Sequence, residues 1–470
     1  MVTIERHGLA AKSSAGRPQS SSFPAGSIAP PPTRITLAAR CDADEITADA
    51  MSMRTIEWTV SAAECTTVRM PVNAALVFIG DSAHFPVEQV QHALIHALAK
   101  CNSLDDVTLI AGRGSETAAW PFPADISRVT DARVTRCELD SPCLLFDGWQ
   151  RGYAQVSSKQ STAGINRILL VTMGSTAMRT EEMDWLLSLV KQQVRLGVST
   201  STFGMGVEFN EFLLEQIAEA GEGHYYFAGD AAELAECLCR ELVEMQQTSA
   251  RETTLTIAMP GGVTIETAGC LPVERHIGHL HIHLGDLAAG EQRVLFTRAT
   301  LPSTPAETTI TLYAYLSYVT PMHHAGGMTS TALLFHAVPQ TKRDGAVIDF
   351  DIFRGVNEMD AAGLLMQALY LAQSPDASTA WYEVEQALHT AAPYLSHSMQ
   401  VICQEFCRAL HQELPEEFRK RIHQQIYTRL CGRTQPPMAI FPELPIANPG
   451  MNRPSSERKQ SASTGRATSR

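Results

Sequence analysis

The sequence predicts a multidomain α/β plus β protein, in which a doubly wound, Rossmann-like α/β domain is inserted in a β-sandwich and followed by a C-terminal helical bundle. Three observations carry that expectation. Between positions 71 and 247, short apolar runs alternate with amphipathic stretches, as parallel strands and their crossover helices do. On either side, at 35–39, 54–60 and from 253 to 336, apolar residues recur with a period of two between Gly, Pro and Asp turns. From 355 to 433 the period lengthens to that of a helix.

A chain of 470 residues, 44% of them hydrophobic, can bury more than one core. Domains of roughly 100 to 200 residues set the expectation at two or three. The net charge of −13 leaves no basic surplus to neutralise phosphates, which argues against nucleic acid and anionic membrane as partners. The first 32 residues lack the apolar core of a signal peptide, and no apolar run approaches the roughly 18 residues of a membrane span. A cytoplasmic protein is therefore expected. The 11 cysteines contain no CxxC pair, and Cys237, Cys239, Cys403 and Cys407 fall on helical patterns, so they read as reduced core thiols.

Positions 1–32, rich in Ser, Ala, Gly and Pro, read as a disordered leader. Segment 33–70 holds alternating strands that need a sheet elsewhere in the chain. The α/β domain, 71–247, opens with an apolar run at 74–79 bounded by Pro71 and by Gly80-Asp81-Ser82. Such a run suits a strand buried on both faces. Val87, Val90, Leu94 and Leu98 then follow at helical spacing. Further strands are expected from Asp106, near 118–122, and at 134–139, 166–173, 199–206 and 224–228. Helices are expected at 146–157, 183–196, 209–220 and 231–245. In such sheets ligands bind outside the carboxyl ends of the strands, which points to 79–84. Segment 248–345 completes the sandwich, 346–433 forms a bundle packed on it, and 434–470 is a disordered Pro-rich and Ser/Arg-rich tail. The Ser and Thr residues of that tail, set among basic residues, look accessible to kinases.

The run GVSTSTFGMGVEFNEFLLEQIAEAGEGHYYFAGDAAEL at 197–234 resembles the second half of a bacterial von Willebrand factor A (vWA) domain. Gly204, Gly206, Asn210, Glu211, Gly221, Gly223, Tyr225 and Tyr226 stand in the positions of that pattern. The arrangement of the whole chain is similar to that of relatives of the calcium-activated chloride channel and inter-α-trypsin inhibitor heavy chain. The resemblance implies a divalent cation at the sheet tip, held by an Asp-x-Ser-x-Ser loop, a Thr and a final Asp. Aligned on this sequence, those positions carry Ile79, Asp81, Ala83, Cys143 and Met173. Asp81 alone offers an oxygen, and sliding the loop to place Asp81 first brings Ala83 and Phe85 into the following positions. One carboxylate opposite a methionine cannot repay the dehydration of Mg²⁺. The expectation is thus a vWA fold whose metal-ion-dependent adhesion site is degenerate, with no metal and no cofactor. Asp81, Ser82, His84 and Asp147 form a polar rim that can meet a partner without an ion.

His279, His281 and His283 share one face of a predicted strand. A pair at i, i+2 can share a zinc ion, and alternation with Leu280 and Ile282 explains them equally as a solvated strand face. No phosphate loop or carboxylate pair stands out, and Asp81, Ser82 and His84 lie too close in sequence to display a triad. The function expected is a non-enzymatic protein–protein interaction module or adaptor, with another protein as partner. The alternatives are a metal-dependent adhesion protein with a nonstandard site, and a hydrolase with an unrecognised site.

Overall fold

A computed structural model of the chain describes residues 35–64, 69–79, 87–112, 130–139, 144–174, 178–320, 326–342, 348–371, 377–410 and 415–433. The leader, the tail and the strand expected near 118–122 lie outside these residues.

Three strands come first: β1 (Ile35–Cys41), β2 (Glu45–Thr47) and β3 (Ser52–Ala62). The α/β domain then runs β4 (Val72–Ile79), α1 (Val87–Leu98), β5 (Asp106–Gly112), β6 (Arg133–Leu139), α2 (Leu145–Ser158) and β7 (Ile165–Met173). It continues with α3 (Thr180–Val194), β8 (Ser199–Met205), α4 (Glu211–Ala220), β9 (Glu222–Ala228) and α5 (Ala231–Gln246). Its six strands are all parallel in the order β6-β5-β4-β7-β8-β9. Every residue of β4 is buried, because α1 and α5 cover one face of the sheet and α2, α3 and α4 the other. A strand covered on both faces needs apolar residues at every position, which is why this run does not alternate.

Seven further strands follow: β10 (Thr248–Ala258), β11 (Thr264–Ala268), β12 (Val273–His276), β13 (His279–Ala288), β14 (Gln292–Leu301), β15 (Thr309–Val319) and β16 (Gly326–Val338). They make a sandwich of two sheets, β1-β3-β14-β11 and β12-β13-β10-β15-β16-β2. The N-terminal strands complete it, with β3 paired to β14 from Ser52↔Leu301 to Ser61↔Gln292. Trp58 of β3 is fully buried between the sheets, and its indole N–H donates to Thr297 Oγ1 at 2.9 Å. The two ends of the α/β insertion are pinned side by side: the Met70 amide donates to the Gln246 carbonyl at 2.7 Å, and that of Gly290 to the Ala62 carbonyl at 3.1 Å.

The helices α6 (Phe350–Leu371), α7 (Ala377–Ala391), α8 (His397–Leu410) and α9 (Glu416–Leu430) end the described chain. They do more than cap the sandwich. One continuous apolar cluster runs from Phe296 of β14 through Val356 and Leu365 of α6 and Ile422 of α9 to Leu214 and Ile217 of α4. The helical region is a wedge between sandwich and α/β domain, a placement that amphipathic periodicity alone leaves open because it says how wide an apolar face is and not what covers it. Among the described residues no helix is long and apolar enough to cross a membrane.

Candidate functional site

Two places concentrate chemistry. The first is the carboxyl edge of the parallel sheet. Ile79 ends β4 beside Thr172 of β7, and Met173 follows. Ile79 is buried in the core and Met173 is partly buried against it. Neither side chain carries an oxygen. The Thr172 hydroxyl is buried and finds no partner among the described residues. Asp147 lies exposed in the first turn of α2, where the helix dipole favours a carboxylate. Asp81, Ser82, Ala83, His84 and Cys143 lie outside the described residues, so the structure brings together Ile79 and Met173 and leaves Asp147 as the described member of the rim.

Apolar groups flank this edge. Leu144, at the start of α2, is 63% exposed; Val207, after β8, is 43% exposed; and Trp185 of α3, 54% exposed, stacks on Phe146 with ring centroids 4.5 Å apart.

The second place is a buried polar junction at the opposite, amino-terminal side of the sheet, which sequence reasoning missed. Arg167 stands in β7, 3% exposed, and reaches Glu241 Oε1 at 2.7 Å, Ser199 Oγ at 2.7 Å and Asp286 Oδ2 at 3.2 Å. Glu241 also accepts from Ser201 Oγ at 2.6 Å and from Tyr226 OH at 2.8 Å, and its Oε2 lies 2.7 Å from His224 Nδ1. The Arg433 guanidinium meets the other imidazole nitrogen and faces Glu244 and Glu291. Burial and the nearby Arg433 push His224 down to about 4, so near neutrality it is a neutral ring. Burial alone would raise Glu241; His224 and Arg167 hold it well below the usual range. Glu244, buried and beside Glu241 and Glu291, is pushed up to about 7 although Arg433 opposes the shift.

His224, Glu241 and Glu244 are the one group among the described residues whose ligand atoms lie within 4.8 Å of one another. Arg167 and Arg433 already occupy the space a cation would take, so the group works as an ion-pair network joining β7, β9 and α5 to the sandwich and to the end of the described chain. Beside it lies a cavity of about 50 Å³ lined by Glu219, Glu222, His283, Cys270, Tyr427 and Arg433. That is room for water and far below the roughly 300–1,000 Å³ of a small-molecule site. Cys270 and Cys431 face each other there as thiols, with sulfurs 3.5 Å apart.

A third cluster fixes α9. Lys420 Nζ donates to Glu211 Oε2 at 2.7 Å and to the Phe209 carbonyl at 2.5 Å, and lies 4.0 Å over the Phe209 ring. His423 Nε2 is 2.6 Å from Glu215 Oε2, a contact of polar groups not aligned as a hydrogen bond. Glu211 and Glu215 are four apart on α4 and so share a face. A carboxylate pair inside an otherwise apolar helix is the signal that a basic partner covers it.

The residues that carry the vWA resemblance turn out to serve the fold. Gly206 has φ +76°, a left-handed conformation only glycine adopts freely. A methyl group on Gly223 would stand 2.1 Å from the Thr200 carbonyl. Asn210 caps α4 by accepting from the Phe212 and Leu213 amides. Tyr225 and Tyr226 are buried.

Parallel sheet, flanking helices, sandwich and helical wedge together define a protein of the von Willebrand factor A fold. The von Willebrand factor type A protein from Catenulispora acidiphila shares it with a TM-score of 0.59 and 12% identity, over 86% of this chain and 99% of that one. The ArnB paralog VWA2 from Sulfolobus acidocaldarius does so with a TM-score of 0.54 and 11% identity, over 85% and 98%. At those identities the likeness is one of fold. In sequence the chain is 27% identical over 239 residues to the uncharacterized protein YfbK of Escherichia coli (strain K12), which covers 48% of this chain and 41% of YfbK. The chain thus spans less than half the length of that curated relative. No family model matches the chain.

Proposed function

We infer that the chain is a non-enzymatic protein–protein interaction module, an adaptor whose vWA domain engages another protein through the carboxyl edge of its parallel sheet without a divalent cation. The observation that carries this reading is Ile79 and Met173 at the ends of the two central strands, with Leu144, Val207 and the Trp185–Phe146 stack exposed on the same side. Mg²⁺ demands near-octahedral oxygen ligands, and an alkyl group and a thioether supply none. Exposed apolar and aromatic side chains beside a polar rim are what a protein contact uses: anchors that lose water at the centre and polar groups that fix orientation at the edge. Asp81, Ser82, His84 and Asp147 would provide that rim, and a cytoplasmic setting belongs to the same reading.

Isothermal titration of the full chain with magnesium and manganese chloride tests the cation-free part. No heat of binding is expected. Stoichiometric binding that Asp81→Ala abolishes would overturn it and favour the metal-dependent adhesion protein. Affinity capture tests the contact itself: proteins retained by the intact chain in EDTA should be lost with Leu144→Asp and with Trp185→Asp. Capture that EDTA removes, or that both variants keep, counts against the tip as a cation-free interface.

A further inference from the structure

The outer face of the six-stranded sandwich sheet gathers imidazoles. β12 and β13 form a hairpin closed by Ile277 and Gly278, the latter with φ +78°. Its register sets Glu274 opposite His281 and His276 opposite His279. By the period of two along a strand, His283 joins them on that face. The other face of β13, with Leu280, Ile282 and Leu284, is buried in the sandwich core. A merely solvated face asks only for polar residues, and here the polar residues are donors of one chemical kind.

Two of the rings are held. In the tautomer with its proton on Nδ1, His281 donates to Thr256 Oγ1 at 2.8 Å, and His283 Nδ1 faces Thr254 Oγ1 at 3.4 Å. Both threonines stand on β10 directly across from their histidines. This leaves the Nε2 lone pairs pointing away from β10, the arrangement that outer-shell partners impose on metal-binding imidazoles. His283 Nε2 is buried and has no hydrogen-bond partner among the described residues.

Glu274 lies between the rings. Its Oε1 is 3.7 Å from His283 Nε2 and its Oε2 is 3.6 Å from His276 Nε2. These separations are too long for hydrogen bonds. They approach the ligand-to-ligand edge of a tetrahedral zinc site, about 3.3 Å for bonds of about 2.0–2.1 Å. The His276 and His281 ring centroids are 5.0 Å apart. Glu274 and His276, 56% and 59% exposed, can swing without disturbing any packing. Burial, and then the imidazoles of His276, His279 and His283, hold His281 below its ordinary value, so it is neutral and able to ligate at neutral pH.

We propose that Glu274, His276, His281 and His283 bind a divalent cation of the zinc class, an ion that accepts mixed imidazole and carboxylate ligands in tetrahedral geometry. His281 and His283 are the preset half of the site, and Glu274 and His276 close on the ion. The site belongs to the sandwich and stands independently of the carboxyl edge of the parallel sheet.

The full chain, stripped with a chelator and kept reduced, is titrated with zinc chloride, with cobalt chloride as a spectroscopic probe and with magnesium chloride as a hard-cation control. One zinc per chain is expected and no magnesium. Cobalt should give tetrahedral d–d absorption without the thiolate charge-transfer band that cysteine ligands produce. His281→Ala and His283→Ala should each weaken zinc binding by about tenfold or more, and Thr256→Val, which frees a ring without removing it, by a smaller factor. Glu274→Gln, at an exposed position, gives the same readout without risk to the fold. Absence of zinc uptake, uptake unchanged in the His281 and His283 variants, or a thiolate band on cobalt would each overturn the proposal.

Discussion

Lys420 Nζ lies 2.7 Å from Glu211 Oε2, and solvent reaches neither side chain, at 0% and 1% exposed. The pair ties the last described helix to the α/β domain across 209 residues of chain. Burial lowers Lys420 from its ordinary value, and the Glu211 carboxylate opposes that shift. Removing one partner strands the other charge in the interior, which costs about 3–5 kcal/mol, whereas removing both is far milder. Lys420→Met should therefore lower the melting temperature sharply, and Glu211→Leu with Lys420→Met should recover most of the loss. Arg419, which also pairs with Glu211, keeps Glu416 at 2.7 Å in the double variant. Calorimetry of the two singles and the double checks this; additive losses would mean that the pair is not coupled.

A second expectation concerns pH. Glu222 sits at φ +48°, and burial, then Asp286 and Glu252, push its carboxyl up from 4.5 to about 7. A carboxyl raised in the folded state binds more protons folded than unfolded across that window, so its contribution to stability falls as pH rises from 4.5 to about 7 and stays lost above. Glu219 and Glu244, also pushed to about 7, act with the same sign. His224, pushed down from 6.5 to about 4, acts oppositely between those values. The variant isolates the one group: Glu222→Asn, which removes the charge and tolerates a left-handed backbone, should raise the melting temperature more at pH 8 than at pH 5. An equal gain at both would assign the effect to the backbone alone.

Gly223→Ala should distort the pairing of β8 with β9, since the added methyl would meet the Thr200 carbonyl at 2.1 Å and Ser201 Oγ at 2.6 Å. Overpacking of this kind costs about 1–3 kcal/mol. Because Ser201 donates to Glu241, the loss should also reach the buried junction. Urea unfolding reads it, and a midpoint unchanged from the native chain would contradict the close approach.

The degenerate tip can be tested by rebuilding it. Ile79→Asp, Ala83→Ser, Cys143→Thr and Met173→Asp together should make a chain that is less stable than the native one in EDTA, where carboxylates crowd Asp81, and that millimolar magnesium stabilises by mass action. The native chain should melt at one temperature with or without magnesium. Thermal melts of both proteins decide it, and magnesium-dependent melting of the native chain would show that its tip retains a site.

Much of the architecture was legible because each element obeys one period. β4 and β7 read as doubly covered strands, and β1 and β3 read as strands without partners, which β14 supplies. The tip was legible in part, since Ile79 and Met173 stand at adjacent strand ends as the vWA alignment requires. The junction was not legible. Arg167 interrupts an apolar run, and its acceptors Ser199, Glu241 and Asp286 lie 32, 74 and 119 residues away. Periodicity reports which face of an element is apolar, and it carries no information about which distant side chain will neutralise a charge on that face. Lys420 was hidden for the same reason: on α9 it reads as solvated, and only α4 makes it interior.

The last described residue, Arg433, bridges Arg293 of β14; Arg293 pairs with Val60 of β3, and Val60 with Leu37 of β1. Both ends of the described chain are thus fastened to one sheet, a single row of residues apart. Tension between them would run as shear across that row, through hydrogen bonds that must break together and not one after another. The inserted vWA domain hangs outside this mechanical path, so a pull on the ends would reach the sandwich first and leave the tip of the parallel sheet unloaded.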